Sequence, residues 1–525
     1  MEKFFNTAGP IKTDLHYYVP TESRWDLERV LGLIRQQKYF ILHAPRQTGK
    51  TSAILSLTNY LNDSGEYEAI YANIEAAQAV RSDVEKGIRT VMAEIASRMD
   101  YFLEKSLLKE NWLRIFEESG ASQALAELLT FWTIEADKPT ILFLDEVDAL
   151  IGDTLISLLR QIRSGYDKRP SKFPISIVLC GVRDVRDYRM HSASSGEIIT
   201  GGSAFNIKAE SLRLENFSKE QIQELYKQHT NATGQIFEAG VLDLVWHYTE
   251  GQPWLVNALA YEATYNMKDN QDRSKPLTNE IFRTAKERLI LRRDTHLDQL
   301  ADKLREERVK RIIQPILSGK KETTKHRPDD VQYVRDLGLI HLDTNGKIQI
   351  ANDIYKEIIP RELSWVMQTG IAVESNWYIT KEGKIDMSKL LTAFQDFFRK
   401  HSEHWVERFD YKEAGPQLLL QAFLQRIVNG GGRIEREYGF GRGRTDLFIE
   451  FFYGEHKKQE IVLELKLLYN NLEKTIEEGI QQTKRYMDKC GAKEGHLLVF
   501  DRRADRTWEE KIWQKEIDSI QVWGA

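Results

Sequence analysis

Lys50 and Thr51 close the run A-P-R-Q-T-G-K-T, Ala44 to Thr51, and residues of these types at this spacing can do phosphate chemistry. The run fits the P-loop pattern, with Ala44 where a first glycine usually stands. Ala44, Pro45, Arg46, Gln47, Thr48, Gly49 and Ser52 are expected to wrap a polyphosphate, through backbone N–H groups and the positive end of the helix they open. Lys50 adds a point charge for the outer phosphates, and the Thr51 hydroxyl is a ligand for Mg²⁺. A second set of residues follows in T-I-L-F-L-D-E-V-D-A-L, Thr140 to Leu150. Asp145 and Glu146 stand where an apolar strand ends, Asp145 suited to hold a Mg²⁺ water and Glu146 to orient or deprotonate an attacking water. Together the two sets predict a chain that binds ATP, or another nucleoside triphosphate, and hydrolyses it.

A third group lies near the other end. Asp446 opens one strand-like run, and Glu464 and Lys466 stand two apart on the next, I-V-L-E-L-K-L-L. Period-two alternation turns Glu464 and Lys466 to one face, and a hairpin brings Asp446 to them if it closes on that face. Hard oxygens in that arrangement suit Mg²⁺ or Mn²⁺, held between Asp446, Glu464 and the Leu465 carbonyl. Lys466 would hold or activate the attacking water.

The elements that must position these groups are legible around them. Tyr39, Phe40, Ile41 and Leu42 form a strand before the loop, and Ala53, Ile54, Leu57 and Leu61 recur at helical spacing after it. Ile141 to Leu144 are apolar without alternation, as in a parallel strand buried on both faces. Tyr67 to Ile74 and Ile175 to Cys180 read as further strands, with helices from Thr21, Ser82 to Met99, Ser122 to Ala136 and Thr154 to Ser164. The aromatic cluster at Tyr17 and Tyr18 has two readings, a wall beside the adenine or a packed entry to the domain. Arg183, Arg186 and Arg189 follow the strand ending at Cys180. Arg183 serves there as a γ-phosphate sensor or finger, or else pairs with Asp184 and Asp187 on the surface. Leu212, Leu214 and Phe217 read as a strand, and Ser218 with Gln221 as a helix cap. Gly251 ends a helix and Pro253 opens the next.

At 525 residues the chain is too long for one core, and its net charge of −5 signals no global affinity for nucleic acid. Cys180 and Cys490, its two cysteines, fit a reducing compartment without disulfides. No run is apolar enough to span a bilayer, so the expectation is a cytoplasmic protein without membrane contact.

Two resemblances sharpen these readings. The P-loop, L-F-L-D-E, L-C-G-V-R-D, S-L-R-L-E-N-F and G-Q-P-W-L-V-N together resemble AAA-like ATPases near the STAND group, over about half the chain to roughly Leu363. The resemblance implies that Gly251-Gln252-Pro253 is a lid element, with Pro253 sensing the nucleotide base, followed by a winged helix turning at Asn345-Gly346. That winged helix either binds DNA or relays movement. The resemblance also leaves a homo-oligomer open, with a neighbour supplying an arginine. Asp446 and Glu464-Leu465-Lys466 resemble the PD-(D/E)XK nuclease superfamily, with Gln482 to Tyr486 as its Gln-x-x-x-Tyr element and Thr445 in place of the proline. Arg442 and Arg444 either meet backbone phosphates or only build a hairpin turn, and Glu413 or Glu437 is open as an extra carboxylate.

The expected fold class is α/β multidomain: a P-loop parallel-sheet ATPase (1–215), a helical lid (216–290), a winged helix (291–364), a linker with helix (365–400) and a restriction-endonuclease-like α/β domain (401–525). The expected function is an ATP-regulated, Mg²⁺- or Mn²⁺-dependent nuclease acting on nucleic acid, with DNA favoured and a protein trigger left open. The alternative is an ATP-gated switch or scaffold whose nuclease fold only binds nucleic acid.

Overall fold

The apolar run before the phosphate loop forms the strand Tyr39–His43, buried along its whole length. Tyr39 and Ile41 enter one core with Ile70, Leu142, Leu144 and Leu179. Phe40 and Leu42 enter another with Ala69, Ile141, Phe143 and Val178. A strand clothed on both faces cannot alternate apolar with polar, which is why these runs are continuously hydrophobic. The computed structural model describes residues 2–182, 189–191, 198–200, 208–292, 302–317, 327–343, 346–359, 378–408, 419–420, 423–424, 432–440, 443–453, 457–468, 470–503 and 506–525. They divide into two compact units, Met1–Arg292 with Arg327–His341, and Arg293–His326 with Leu342–Ala525.

In the first unit a five-stranded sheet runs in the order Glu68–Asn73, Thr140–Asp145, Ser176–Gly181, Tyr39–His43, Lys208–Arg213. All its pairs are parallel. Helices Val84–Leu103, Leu107–Ser119, Ala124–Glu135 and Gly152–Ser164 supply one core. Leu27–Arg35 and Lys50–Asp63 supply the other. Helix Leu107–Ser119 has no counterpart in the sequence reading, because its buried residues Leu108, Ile115 and Phe116 are scattered among charges. The helix expected from Thr21 is a 3₁₀ turn, Thr21–Ser23, and then an α-helix capped at Asp26, whose carboxylate accepts from Arg29 N. The last strand is Lys208–Arg213, not the segment from Leu212 to Phe217, since Phe217 N already donates to Gly251 O at 2.8 Å.

Lys219–Thr233, Val241–Thr249, Pro253–Tyr261 and Asn279–Arg292 form the helical part of this unit. The expected cap at Ser218 is a capping box with Gln221. Gly251 has φ +74°, and a Cβ there would press into the Phe217 carbonyl, so glycine is required between the second and third helices. No helix among the described residues is long and apolar enough to cross a membrane.

The second unit carries a six-stranded sheet, in the order Gly432–Phe440, Gly443–Tyr453, Lys457–Leu468, Glu494–Asp501, Ile520–Gly524, Trp513–Ile517. Its first three strands are antiparallel. Lys457–Leu468 then pairs in parallel with Glu494–Asp501 across helix Leu472–Cys490. That helix buries Ile476 and Ile480 on Leu497 and Val499. Helix Met387–Arg408 packs on the sheet, where Gln395 Nε2 donates to Gly524 O at 2.6 Å. The residues expected as one winged helix are divided, 327–341 falling in the first unit and the remainder in the second. Residues 414–428 lie mostly outside the described residues.

Candidate nucleotide site and a second polar cluster

The loop after Tyr39–His43 turns through Gln47, φ 56°, and Gly49, φ 92°, into helix Lys50–Asp63. Lys50 Nζ donates to Ala44 O at 2.9 Å and Pro45 O at 3.0 Å, while Thr48 Oγ1 donates to Pro45 O. The lysine is thus held at the loop by main-chain oxygens, ready to exchange them for phosphate. Arg46 and Gln47 are exposed at the rim. Ser52 takes another part: its Oγ accepts from Ile11 N at 3.0 Å and ties the N-terminal segment to the loop's helix.

Asp145 is fully buried at the end of its strand. Its Oδ2 accepts from Thr51 Oγ1 at 2.7 Å and from Tyr71 OH at 3.0 Å, and its Oδ1 accepts from Glu146 N at 2.9 Å. Glu146 sits in the left-handed region, φ 58°. Burial first, then Asp148 and Asp145, push its carboxyl above the ordinary carboxylate value, against the pull of Lys50 and Arg46. Asp148 reaches across to Val182 N at 3.2 Å and so fixes the end of the neighbouring strand. Thr51 and Asp145 together offer hard oxygens in contact, a donor set that fits Mg²⁺. Arg183 and Arg186 lie outside the described residues, and of Arg189 only the backbone of a short strand is described.

Pro253 is buried as the first residue of its helix, and the residue beside it makes the contact: Gln252 Nε2 donates to Gln47 O at 3.4 Å. Tyr71 and Arg24 also belong to this neighbourhood and escaped the sequence reading. Arg24 lies among the charges of the helix expected from Thr21, and Tyr71 within the strand expected from Tyr67 to Ile74.

Strand, left-handed turn, helix and the acidic strand two places away in the sheet define a P-loop ATPase. The chain belongs to the AAA-like domain family, whose model matches residues 6–359. Among solved structures it is similar to the Walker-type ATPase PABY2304 of Pyrococcus abyssi, with 15% identity, 68% of this chain and 99% of that chain covered, and a TM-score of 0.45. It is also similar to Cdc6p from Pyrobaculum aerophilum, with 15% identity, 70% and 97% covered, and a TM-score of 0.36. The RuvB Holliday junction branch migration motor of Thermotoga maritima is similar at 13% identity, with 67% and 97% covered and a TM-score of 0.34. No curated protein sequence matches the chain.

In the second unit Glu464, whose side chain is 0% exposed, pairs with Lys466 through Oε1 and Nζ at 2.7 Å. Lys466 Nζ also donates to Gln482 Oε1 at 2.9 Å, and Gln482 Nε2 donates to Tyr486 OH at 2.9 Å. The strand and the crossover helix thus bring four of the expected residues into one chain of polar contacts. Leu465 lies between the pair and is buried. Asp446 and Arg444 are on the adjoining strand Gly443–Tyr453, whose pairing with Lys457–Leu468 runs from Leu447 opposite Leu463 to Tyr453 opposite Lys457. Among the described residues no group of three or more His, Cys, Asp or Glu stands ready for a metal. Glu437 is on strand Gly432–Phe440, and Glu413 and Arg442 lie outside the described residues.

Proposed function

We propose that the chain is an ATP-regulated, divalent-metal-dependent nuclease acting on DNA. The observation that carries this reading is the buried Glu464, joined to Lys466 and through it to Gln482 and Tyr486. A fully buried carboxylate paired with a lysine is expensive to maintain for stability alone, since well-packed apolar residues would serve as well. A buried pair of this kind, on a strand whose neighbour in the sheet carries Asp446, has the composition of a phosphodiester-cleaving site. Asp446, Glu464 and the Leu465 carbonyl would hold Mg²⁺ or Mn²⁺, which supplies charge neutralisation and an acidified water when bound. Lys466 orients that water or steadies the phosphate, and Gln482 fixes the lysine. Arg444 is assigned to the nucleic-acid backbone.

In the first unit Lys50, Thr51 and Asp145 bind Mg²⁺-ATP, Glu146 aligns the attacking water, and Arg183 is assigned to the γ-phosphate. Pro253 and its neighbour Gln252 report nucleotide exchange to the lid. The segment 327–341 lies against the P-loop strand, with Asp336 Oδ1 4.0 Å from His43 Nδ1, and a winged helix built from this region is suited to relay the change. Assembly of several copies around the nucleotide is part of the reading.

The test is cleavage of linear, circular and single-stranded DNA, and of RNA, with Mg²⁺ or Mn²⁺ and with ATP, ADP or neither. Metal-dependent DNA cutting is expected, lost in Asp446→Ala and Lys466→Ala and no longer nucleotide-dependent in Lys50→Ala. ATP turnover with no cutting under any of these conditions would leave an ATP-gated scaffold with an inactive nuclease fold.

A further inference from the structure

Arg24 is a cation held against the phosphate loop by main-chain oxygens. Its Nη1 donates to Thr48 O at 2.6 Å and its Nη2 to Glu215 O at 2.5 Å. The guanidinium lies over the Phe217 ring, 4.8 Å from its centroid. Its Nε is shielded from solvent and makes no hydrogen bond among the described residues. Among those residues no carboxylate pairs with it, and burial alone lowers its pKa to about 10. A Cβ at Gly49 would come within 2.8 Å of Nη1, so the guanidinium touches the loop directly before Lys50.

The contacts close into a ring. Thr48 O is held by Arg24, Arg24 by Glu215 O and the Phe217 face, Phe217 N by Gly251 O, and Gln252 returns to Gln47 O. Two successive loop carbonyls are therefore held from outside. In a trans peptide the C=O and the following N–H point in opposite directions. Holding Gln47 O and Thr48 O outward turns the N–H groups of Thr48 and Gly49 the other way, which is the orientation an anion in the loop requires.

We propose that Arg24 is a positioning residue of the nucleotide site, which orients the Thr48–Gly49 peptide toward the phosphates and whose charge is compensated across the loop by the bound polyphosphate. A half-buried cation with no carboxylate beside it among the described residues gains from an anionic ligand bound at the loop. Arg24 acts through the loop and does not itself take part in hydrolysis. The same ring makes nucleotide binding felt at the junction of sheet and lid.

The experiment compares Arg24→Gln with Arg24→Lys in the full chain, reading ATP and ADP dissociation constants by nucleotide titration and fold by circular dichroism. Arg24→Gln should weaken both nucleotides by about tenfold, the scale of one charge-assisted hydrogen bond, with KM raised and kcat little changed. Arg24→Lys keeps the charge but loses the planar fork and the stacking, and should lose clearly less affinity than Arg24→Gln. A purely structural role would lower the melting temperature of the nucleotide-free protein in both variants and leave affinity alone. Unchanged affinity in Arg24→Gln, or an equal loss in both variants, overturns the proposal. Should Arg24→Gln not fold, Arg24→Lys decides alone, and a tenfold loss of affinity in it is the refuting result.

Discussion

Thr51 donates its hydroxyl to Asp145 at 2.7 Å, and Tyr71 donates to the same carboxylate oxygen at 3.0 Å. One carboxylate is thus held from the phosphate loop and from the neighbouring strand, and its rotation is set before any metal arrives. Removing only the Tyr71 hydroxyl keeps the packing of a ring that is 4% exposed. Tyr71→Phe should raise the half-saturating Mg²⁺ concentration about fivefold, the equivalent of about 1 kcal/mol. Mg²⁺ titration followed by nucleotide fluorescence checks it, and an unchanged curve would show that Thr51 and Glu146 N suffice.

In the proposed mechanism Glu146 aligns the attacking water and takes no part in phosphate binding. Glu146→Gln should hold ATP as tightly as the parent and turn it over roughly 100-fold more slowly. In the unaltered chain the carboxyl titrates above its usual 4.5 because of burial and the nearby Asp148 and Asp145. The carboxylate form is the active one, so kcat should fall with decreasing pH at a pH above 4.5, and Glu146→Gln should abolish that limb.

Lys466→Met leaves the Glu464 carboxylate, 0% exposed, without its 2.7 Å partner. Stranding a buried charge costs on the order of 3 kcal/mol, and the double variant Glu464→Gln with Lys466→Met should recover much of it. Denaturant unfolding of the three proteins measures this. Equal stability of single and double variants would mean that the pair is not coupled.

Gly251→Ala meets two obstacles, φ +74° and a Cβ driven into the Phe217 carbonyl. The backbone strain alone is about 1–3 kcal/mol, with the clash in addition. Loss of lid structure by hydrogen exchange, centred on Val241–Tyr261, is the expected outcome.

His229 is buried, and burial lowers its pKa below 6.5. The folded lid then binds fewer protons here than the unfolded chain. Its contribution to stability is complete above pH 6.5 and is lost as the pH falls below that value. Melting temperatures taken from about pH 7.5 to about pH 5.5 should decline, and His229→Gln should flatten the decline.

The P-loop, its strand and the acidic strand were legible because each is a local event: a run of backbone N–H groups, an apolar strand, a carboxylate at its end. Glu464 and Lys466 were legible for the same reason, since alternation along one strand assigns a face. The helix Leu107–Ser119 was not, because its sparse apolar residues make a face only once a core is present to receive them. Arg24 was not either. Its partners Thr48 and Glu215 are main-chain oxygens, which leave no trace in residue type.

The sequence by itself determined which residues have the chemistry to hold phosphate, while Gln482 and Tyr486 were named only through a family resemblance, and their link to Lys466 is a contact of the tertiary structure. Only the tertiary structure decided that Tyr71 shares Asp145 with Thr51, and that Arg24 and Gln252 grip the outside of the loop. Those contacts join elements far apart in the chain, and their distances are set by how sheets and helices pack, which no local pattern encodes.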